Sequence, residues 1–235
     1  MSKIKDFELL SPFGPKIGKF ILPKEILSNF KKISKKVLKN KEVPYNSKLV
    51  GEITDEWHVP SLYYSDYDVD AYLRKAVKEY TEICIYNNSG GKKRNYRIEP
   101  IVLDGWVNEM KSYEYNPAHF HTNPPPVAVH FSSVLYLEIP KINNPICNLY
   151  KKGKDTNKAA EKEMNMDGKI EFIGGSMPGG QTEMLLHEKG NLSFTPEVGQ
   201  FFIWPHYLLH TVYPFISEKN RLSLAINFGV NVFNN

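Results

Sequence analysis

Cysteine is nearly absent. Cys84 and Cys147 are the only two in 235 residues, far apart and in no metal-type spacing, so a disulfide framework and a cysteine-rich zinc site are both unsupported. A reducing, cytosolic setting fits that usage. No run of about 18 apolar residues occurs, which argues against a transmembrane helix. The opening Met1-Ser2-Lys3-Ile4-Lys5-Asp6 lacks the apolar centre of a secretory signal. The expectation is a soluble, cytoplasmic protein. Excess charge is also small: 30 Lys and Arg against 26 Asp and Glu give +4. Much of that excess lies in Lys31, Lys32, Lys35, Lys36, Lys39 and Lys41, a local basic face too small to argue for nucleic-acid binding.

What is present is an ordinary globular composition. Apolar residues at 41% and charged residues at 24% exclude intrinsic disorder, collagen-like and coiled-coil architectures. The length is about one and a half times the ~150-residue one-domain prior, which admits one large domain or a domain with an appended helical layer and disfavours two equal independent domains.

Two stretches predict helices, both in the N-terminal part. Ile26, Leu27, Phe30, Ile33, Val37 and Leu38 recur mostly at spacings of three and four after Pro23, which suits a first helical turn because its missing N–H is harmless there. The lysine run is the wet face of this helix. A second helix begins near Asp68-Val69-Asp70, carries Tyr72, Leu73, Ala76, Val77, Tyr80, Ile83 and Cys84, and ends before Asn87-Asn88-Ser89-Gly90-Gly91. That cluster divides a helical support region, 1–95, from a β-rich region, 96–235, with the two expected to form one compact unit.

From about Tyr96 the texture changes to short β-rich runs separated by turn residues, near 97–103, 106–113, 128–139, 169–173, 182–186, 191–195, 200–204, 208–214 and 222–230. Eight or nine strands of this kind predict a mostly β fold of the jelly-roll or cupin-like type, which needs about eight. The polar stretch 150–167 reads as an exposed insertion, and no internal repeat is present.

Seven histidines occur: His58, His119, His121, His130, His187, His206 and His210. His119-Phe120-His121 is informative, because residues at i and i+2 on a strand point to one face and can share an ion, with His210 supplying a third ligand from a distant strand. Three facial ligands leave positions open for a chelating cosubstrate and dioxygen on an iron centre. On spacing alone, a surface His-x-His and a hydrogen-bonded core His210 remain an equal alternative.

The segment from Phe202 through Trp204-Pro205-His206-Tyr207-Leu208-Leu209-His210-Thr211-Val212-Tyr213-Pro214 to Arg221-Leu222-Ser223-Leu224-Ala225-Ile226-Asn227-Phe228 resembles the distal half of an Fe(II)/2-oxoglutarate-dependent oxygenase. Trp106-Val107-Asn108, then Tyr115-Asn116-Pro117-Ala118-His119-Phe120-His121 and Ser132-Ser133-Val134-Leu135-Tyr136-Leu137, is similar to the proximal half in phage and bacterial members related to prolyl hydroxylases. The resemblance covers roughly 98–233 and implies a double-stranded β-helix. It also implies Fe(II), 2-oxoglutarate and O2 as cofactor and cosubstrates, oxidative decarboxylation to succinate and carbon dioxide, and hydroxylation of a C–H bond.

Under this resemblance the ion falls to His119, His121 and His210, and the far carboxylate of 2-oxoglutarate to Arg221 and Ser223. A guanidinium meets a carboxylate with a bidentate fork, and a hydroxyl two residues along the same strand face adds a donor. Leu222, Leu224 and Ile226 alternate with Arg221, Ser223, Ala225 and Asn227, so one strand face is largely polar and can line a pocket. Tyr136, Asn108 and Asn227 are further cosubstrate-pocket candidates, while Trp106 reads as core.

One departure stands out. The family pattern has Asp or Glu two residues after the first ligand histidine, and this sequence has His121. Either three imidazoles hold the metal, or His121 is the first ligand and a carboxylate arrives from elsewhere; Asn123 is a poor iron ligand. An all-imidazole site leaves the ion more positive.

The remaining histidines carry weaker signals. His206 and His210 are four apart, but Tyr207 stands where a zinc protease needs Glu and the flanks are strand-like, so that reading is rejected. His206 is expected at a rim, His130 in the core or pocket wall, His187 in a turn, and His58 in aromatic packing or a substrate rim. The glycine-rich 174–180 is either a lid or a plain connection. The expected partner is a small-molecule or peptide substrate. A cupin-like metal- or ligand-binding protein without turnover is the alternative, since it shares barrel and histidines.

Overall fold

Alternation along three strands of the C-terminal half organises the molecule. On β9, Gln200–Pro205, the side chains of Phe201 and Ile203 belong to one apolar layer and those of Phe202 and Trp204 to another. On β6, Phe131–Glu138, Leu135 and Leu137 join the first layer while Val134 and Tyr136 join the second. A strand apolar on both faces must be covered on both. Helices cover one face and a second sheet covers the other.

The computed structural model describes residues 7–10, 14–92, 95–122, 128–142, 165–174 and 190–234. The expectations for Asn123, Cys147, His187, the strand at 182–186, and most of the segments 150–167 and 174–180 lie outside these residues. Two N-terminal strands, β1 (Phe7–Leu10) and β2 (Ile17–Ile21), precede helix α1 (Lys24–Asn40). Strand β3 (Asp55–His58), a short α2 (Leu62–Asp66) and α3 (Asp70–Asn88) follow. Then come β4 (Tyr96–Met110), β5 (Asn116–His119), β6, β7 (Ile170–Ile173), β8 (Asn191–Phe194), β9, β10 (Leu209–Val212) and β11 (Arg221–Asn234).

These strands form two antiparallel sheets, one in the order β1-β2-β9-β6-β11-β4-β3 and the other β5-β10-β7-β8. From β4 to β11 the chain alternates between the sheets except at β7 and β8, which pair with each other in the small sheet. This is the order of a double-stranded β-helix, so the jelly roll expected from the strand count is the fold observed. The N-terminal part contributes more than helices: β2 pairs with β9 and β3 with β4, extending the large sheet at both sides. These strands are too short, and too mixed in composition, to announce themselves by periodicity.

Helix α1 buries Phe30, Ile33 and Val37, and α3 buries Leu73, Ala76, Val77 and Tyr80. Both stripes join Leu135, Phe201, Leu224 and Phe228 of the large sheet in one apolar layer. The lysine face of α1 is partly engaged, with Lys36 over the ring of Tyr63 at 4.2 Å. No helix among the described residues is long and apolar enough to cross a membrane.

The runs expected separately at 97–103 and 106–113 form a single strand, β4, interrupted by a bulge instead of a turn. In the β11–β4 ladder Ile226 pairs with Gly105 and Phe228 with Val102, so Leu103 and Asp104 together oppose Asn227. Such an extra residue re-aims side chains without ending the pairing.

Candidate metal centre

The small sheet brings two histidines together by direct pairing. His119 at the end of β5 stands opposite His210 on β10, and antiparallel partners present their side chains on the same face. Their ring centroids are 4.3 Å apart. His121, two residues on, turns its ring to the same point, 5.5 Å from His119 and 5.3 Å from His210. Its backbone is clamped there by His206: the His121 N–H donates to His206 O at 2.9 Å, and His206 Nδ1 donates to His121 O at 2.8 Å. The residue expected at a rim thus holds His121 in place.

Ligand atoms of His119, His121 and His210 lie within 4.8 Å of one another. Among the described residues no carboxylate joins this cluster. Each Nδ1 already faces an oxygen: Pro117 O at 2.7 Å for His119, Leu208 O at 2.9 Å for His210 and Asn227 Oδ1 at 2.9 Å for His121. A ring nitrogen bonded to a carbonyl must carry the proton, so each Nε2 keeps its lone pair for an ion. Burial lowers all three pKa values, aided at His121 by neighbouring His119, which takes it to about 4, and at His210 by both other rings, well below the usual value. All three are neutral at pH 7, the form that binds metal.

A cavity of about 50 Å³ adjoins the cluster. The three histidines line it together with Trp106, Asn108, Tyr136, Arg221 and Ser223, and Leu49, Val50 and Ile53 lie along its wall. Arg221, Ser223 and Ala225 face this space while Leu222, Leu224 and Ile226 pack against the helices, as the alternation predicts. Arg221 is 3% exposed. Its NH1 donates to Gly168 O at 3.0 Å and its NH2 to the Met110 sulfur, while the rings of Tyr136 and Phe215 flank it. It has no acidic partner among the described residues. Burial lowers its pKa, yet an arginine keeps its charge inside proteins.

Buried polar atoms without a partner concentrate on this wall. Asn108 Oδ1, Asn116 Oδ1, Tyr136 OH, Trp204 Nε1 and Arg221 Nε have none among the described residues. Native proteins satisfy nearly all such groups, so a cluster of exceptions marks a wall able to bind a polar ligand or ordered water. Trp204 also stacks edge-on against His210, at 4.8 Å. Its indole N–H was not evident from sequence, where Trp204 reads as an ordinary strand residue.

Asn227 does not line the cavity. It stands behind His121, accepting from Ser132 Oγ at 3.2 Å and donating through Nδ2 to Asp104 Oδ1 at 3.1 Å. Asp104 in turn accepts a hydrogen bond from Tyr45 OH, and the Tyr45 ring stacks on Trp106, which stacks on His121. Neither Asp104 nor Tyr45 is evident from the motifs. The signal available for Asp104 is strand parity with Trp106 and Asn108. His58 lies in this aromatic packing, stacked on Tyr45 at 5.8 Å. His130 is an exposed residue whose Nδ1 accepts from the Val230 N–H, so it is neither core nor wall of this cavity.

Solved structures similar to the chain include a prolyl-4-hydroxylase from Pseudomonas putida, 13% identical over 90% of this chain and 91% of that one, with a TM-score of 0.48. A viral collagen prolyl hydroxylase from Paramecium Bursaria Chlorella virus-1 is 14% identical over 90% and 94%, TM-score 0.40. EctD from S. alaskensis with bound Fe is 12% identical over 96% and 73%, TM-score 0.44. No curated protein matches the chain. The model of the family described as "Putative 2OG-Fe(II) oxygenase", whose members use Fe(II), 2-oxoglutarate and O2, matches residues 104–227. That span is more than half of the chain and holds all three imidazoles and the buried arginine, and the protein belongs to this family.

Proposed function

We propose that this chain is a hydroxylase in which His119, His121 and His210 hold the iron and Arg221 anchors the far carboxylate of 2-oxoglutarate. The observation that carries this reading is the buried Arg221, without an acidic partner among the described residues, on the wall of the same cavity as three neutral imidazoles. A buried guanidinium costs free energy unless an anion meets it. The donor set suits the ion as well, since imidazole is a good ligand for iron and three protein ligands leave coordination positions open.

When bound, the iron supplies the chemistry by which dioxygen and 2-oxoglutarate yield succinate, carbon dioxide and a hydroxylated C–H bond. The protein's own share is binding, orientation and exclusion of water. In this reading Arg221 Nε, Tyr136 OH and Trp204 Nε1 donate to the dicarboxylate, and Ser223, on the same strand face as Arg221, adds a hydroxyl. Burial raises the Tyr136 pKa to about 12, which keeps the phenol protonated as a donor. Asn108 offers an acceptor on the same wall. Asn227 acts through His121. The substrate is a small molecule or peptide, and the motif resemblance to prolyl hydroxylases makes a peptidyl or free proline the first to test.

The test is calorimetric titration of 2-oxoglutarate into ion-loaded wild type and Arg221→Ala under anaerobic conditions. The expected result is retained ion binding with 2-oxoglutarate affinity reduced by roughly 30-fold or more, the scale for truncating one partner of a buried charge pair. Equal affinity in both proteins contradicts the assignment. Binding of both ligands without succinate formation in air favours a binding protein without turnover.

A further inference from the structure

His121 stands where the family pattern has a carboxylate, no carboxylate joins the cluster among the described residues, and Asp104 stands two hydrogen bonds behind His121. Building on the ion site proposed above, we infer that Asp104 is a positioning residue that acts through Asn227 to fix the proton of His121 on Nδ1, leaving Nε2 bare toward the metal, and lends that ligand a negative charge that no described residue supplies directly.

The inference follows from donor and acceptor types. A carboxylate only accepts, so the Asn227 group 3.1 Å from Asp104 Oδ1 must be its NH2. The carbonyl of the same amide then faces His121 Nδ1 at 2.9 Å, and an acceptor there requires N–H on the ring. Ser132 Oγ, 3.2 Å from the same Asn227 oxygen, can donate to it and supports that orientation. Without the carboxylate these partners do not fix the amide, because the Ser132 hydroxyl can accept as readily as donate and the two ends of the amide are nearly alike in shape. A flipped amide presents NH2 to Nδ1, moves the ring proton to Nε2 and removes the ligand lone pair.

The other two histidines need no such arrangement. His119 and His210 each find a backbone carbonyl two residues earlier in their own segments, Pro117 O and Leu208 O. His121 alone among the three depends on side chains from two other strands. The bulge that sets Leu103 and Asp104 together against Asn227 makes that contact. Tyr45 OH donates to the other carboxylate oxygen, which leaves Oδ1 committed to Asn227. Carboxylate partners reaching a metal through histidine orient the ring and raise its basicity. Here the same effect passes through one amide.

Two readouts test this independently of turnover. Nitrogen-15 spectra of the histidine rings in the metal-free full-length chain report each tautomer. Competition titration with Co(II) and a chelating dye reports ion affinity. Wild type is expected to show Nδ1–H at all three rings. Asp104→Asn should lose that preference at His121 alone and bind Co(II) roughly 10–100-fold more weakly, the usual cost of removing an outer partner of a metal ligand. On an Asn227→Ala background the same substitution should cost nothing further, because Asp104 then has nothing to act through. An unchanged His121 tautomer with affinity within about twofold in folded Asp104→Asn overturns the inference, as does an equal additional loss on the Asn227→Ala background. If Asp104→Asn does not fold, Asn227→Ala alone must show the altered His121 tautomer, and an unaltered ring there overturns the inference. Wild type that binds no Co(II) defeats the ion-site reading, while the tautomer spectra still decide the role of Asp104.

Discussion

His119 and His210 face each other directly across the β5–β10 pair with ring centroids 4.3 Å apart. The distance is set by the ladder, since the two are backbone partners, and it brings two unprotonated nitrogens close together in a partly dry site. An ion bridging them therefore stabilises the folded chain and has no comparable site in the unfolded one. Thermal unfolding with and without Co(II) should show a clear upward shift, about 2.7 kcal/mol at an ion concentration one hundred times Kd. His210→Ala should remove the shift. A shift that survives in that variant places the ion elsewhere.

Arg221 should trade stability for binding. Removing a buried guanidinium that has no acidic partner among the described residues, in favour of an apolar chain of similar length, relieves a desolvation cost. Arg221→Met is therefore expected to leave the ligand-free urea midpoint unchanged or raise stability by on the order of 1 kcal/mol, with 2-oxoglutarate binding lost. A marked fall in the midpoint would mean that the bonds to Gly168 and Met110 matter more than the cost of burial.

Gly105 sits between Asp104 and Trp106 with no room for a side chain. A Cβ there comes within 2.1 Å of Tyr64 OH and 3.0 Å of Ala225 O. Gly105→Ala should destabilise the fold by about 1–3 kcal/mol, the range for overpacking, and weaken Co(II) binding by disturbing both neighbours. Tyr64 OH is buried without a partner among the described residues, so Tyr64→Phe should cost little alone and recover part of the loss in the double variant. Urea denaturation of the four proteins measures the coupling.

Glu56 predicts the pH dependence. It is 3% exposed, with Oε1 unpartnered among the described residues. Burial, with nearby Glu114 adding to it, raises its pKa from 4.5 to about 8. Between these values the unfolded chain has released a proton that the folded chain keeps. Its contribution is therefore most favourable below about 4.5 and is lost as pH rises toward 8, by on the order of a few kcal/mol. Unfolding free energies at pH 5.5 and 8 should show the decline in wild type and a flatter profile in Glu56→Gln. Equal slopes in the two proteins would assign the dependence to other groups.

Much of this architecture is legible in the sequence because parity is local. Arg221, Ser223 and Ala225 announce one strand face and Leu222, Leu224 and Ile226 the other, and two histidines at i and i+2 announce a shared direction. The convergence of His210 on His119 came from motif order, and the β10–β5 register supplies its physical basis. What escaped was set by non-local register. Asp104 meets Asn227 through a bulge 123 positions away in sequence, and no short pattern encodes that. Strand β3 is four residues long, too brief for periodicity, and its place is fixed by pairing with β4.

Anaerobic addition of Fe(II) and then 2-oxoglutarate to the full-length chain tests the central claim most directly, because the metal-to-ligand charge-transfer band arises only when the keto acid chelates the iron. The account predicts that the band develops in wild type and is absent in His210→Ala, and that in Arg221→Ala it requires far higher 2-oxoglutarate. Intact, folded wild type that shows no band at saturating concentrations of both would contradict it.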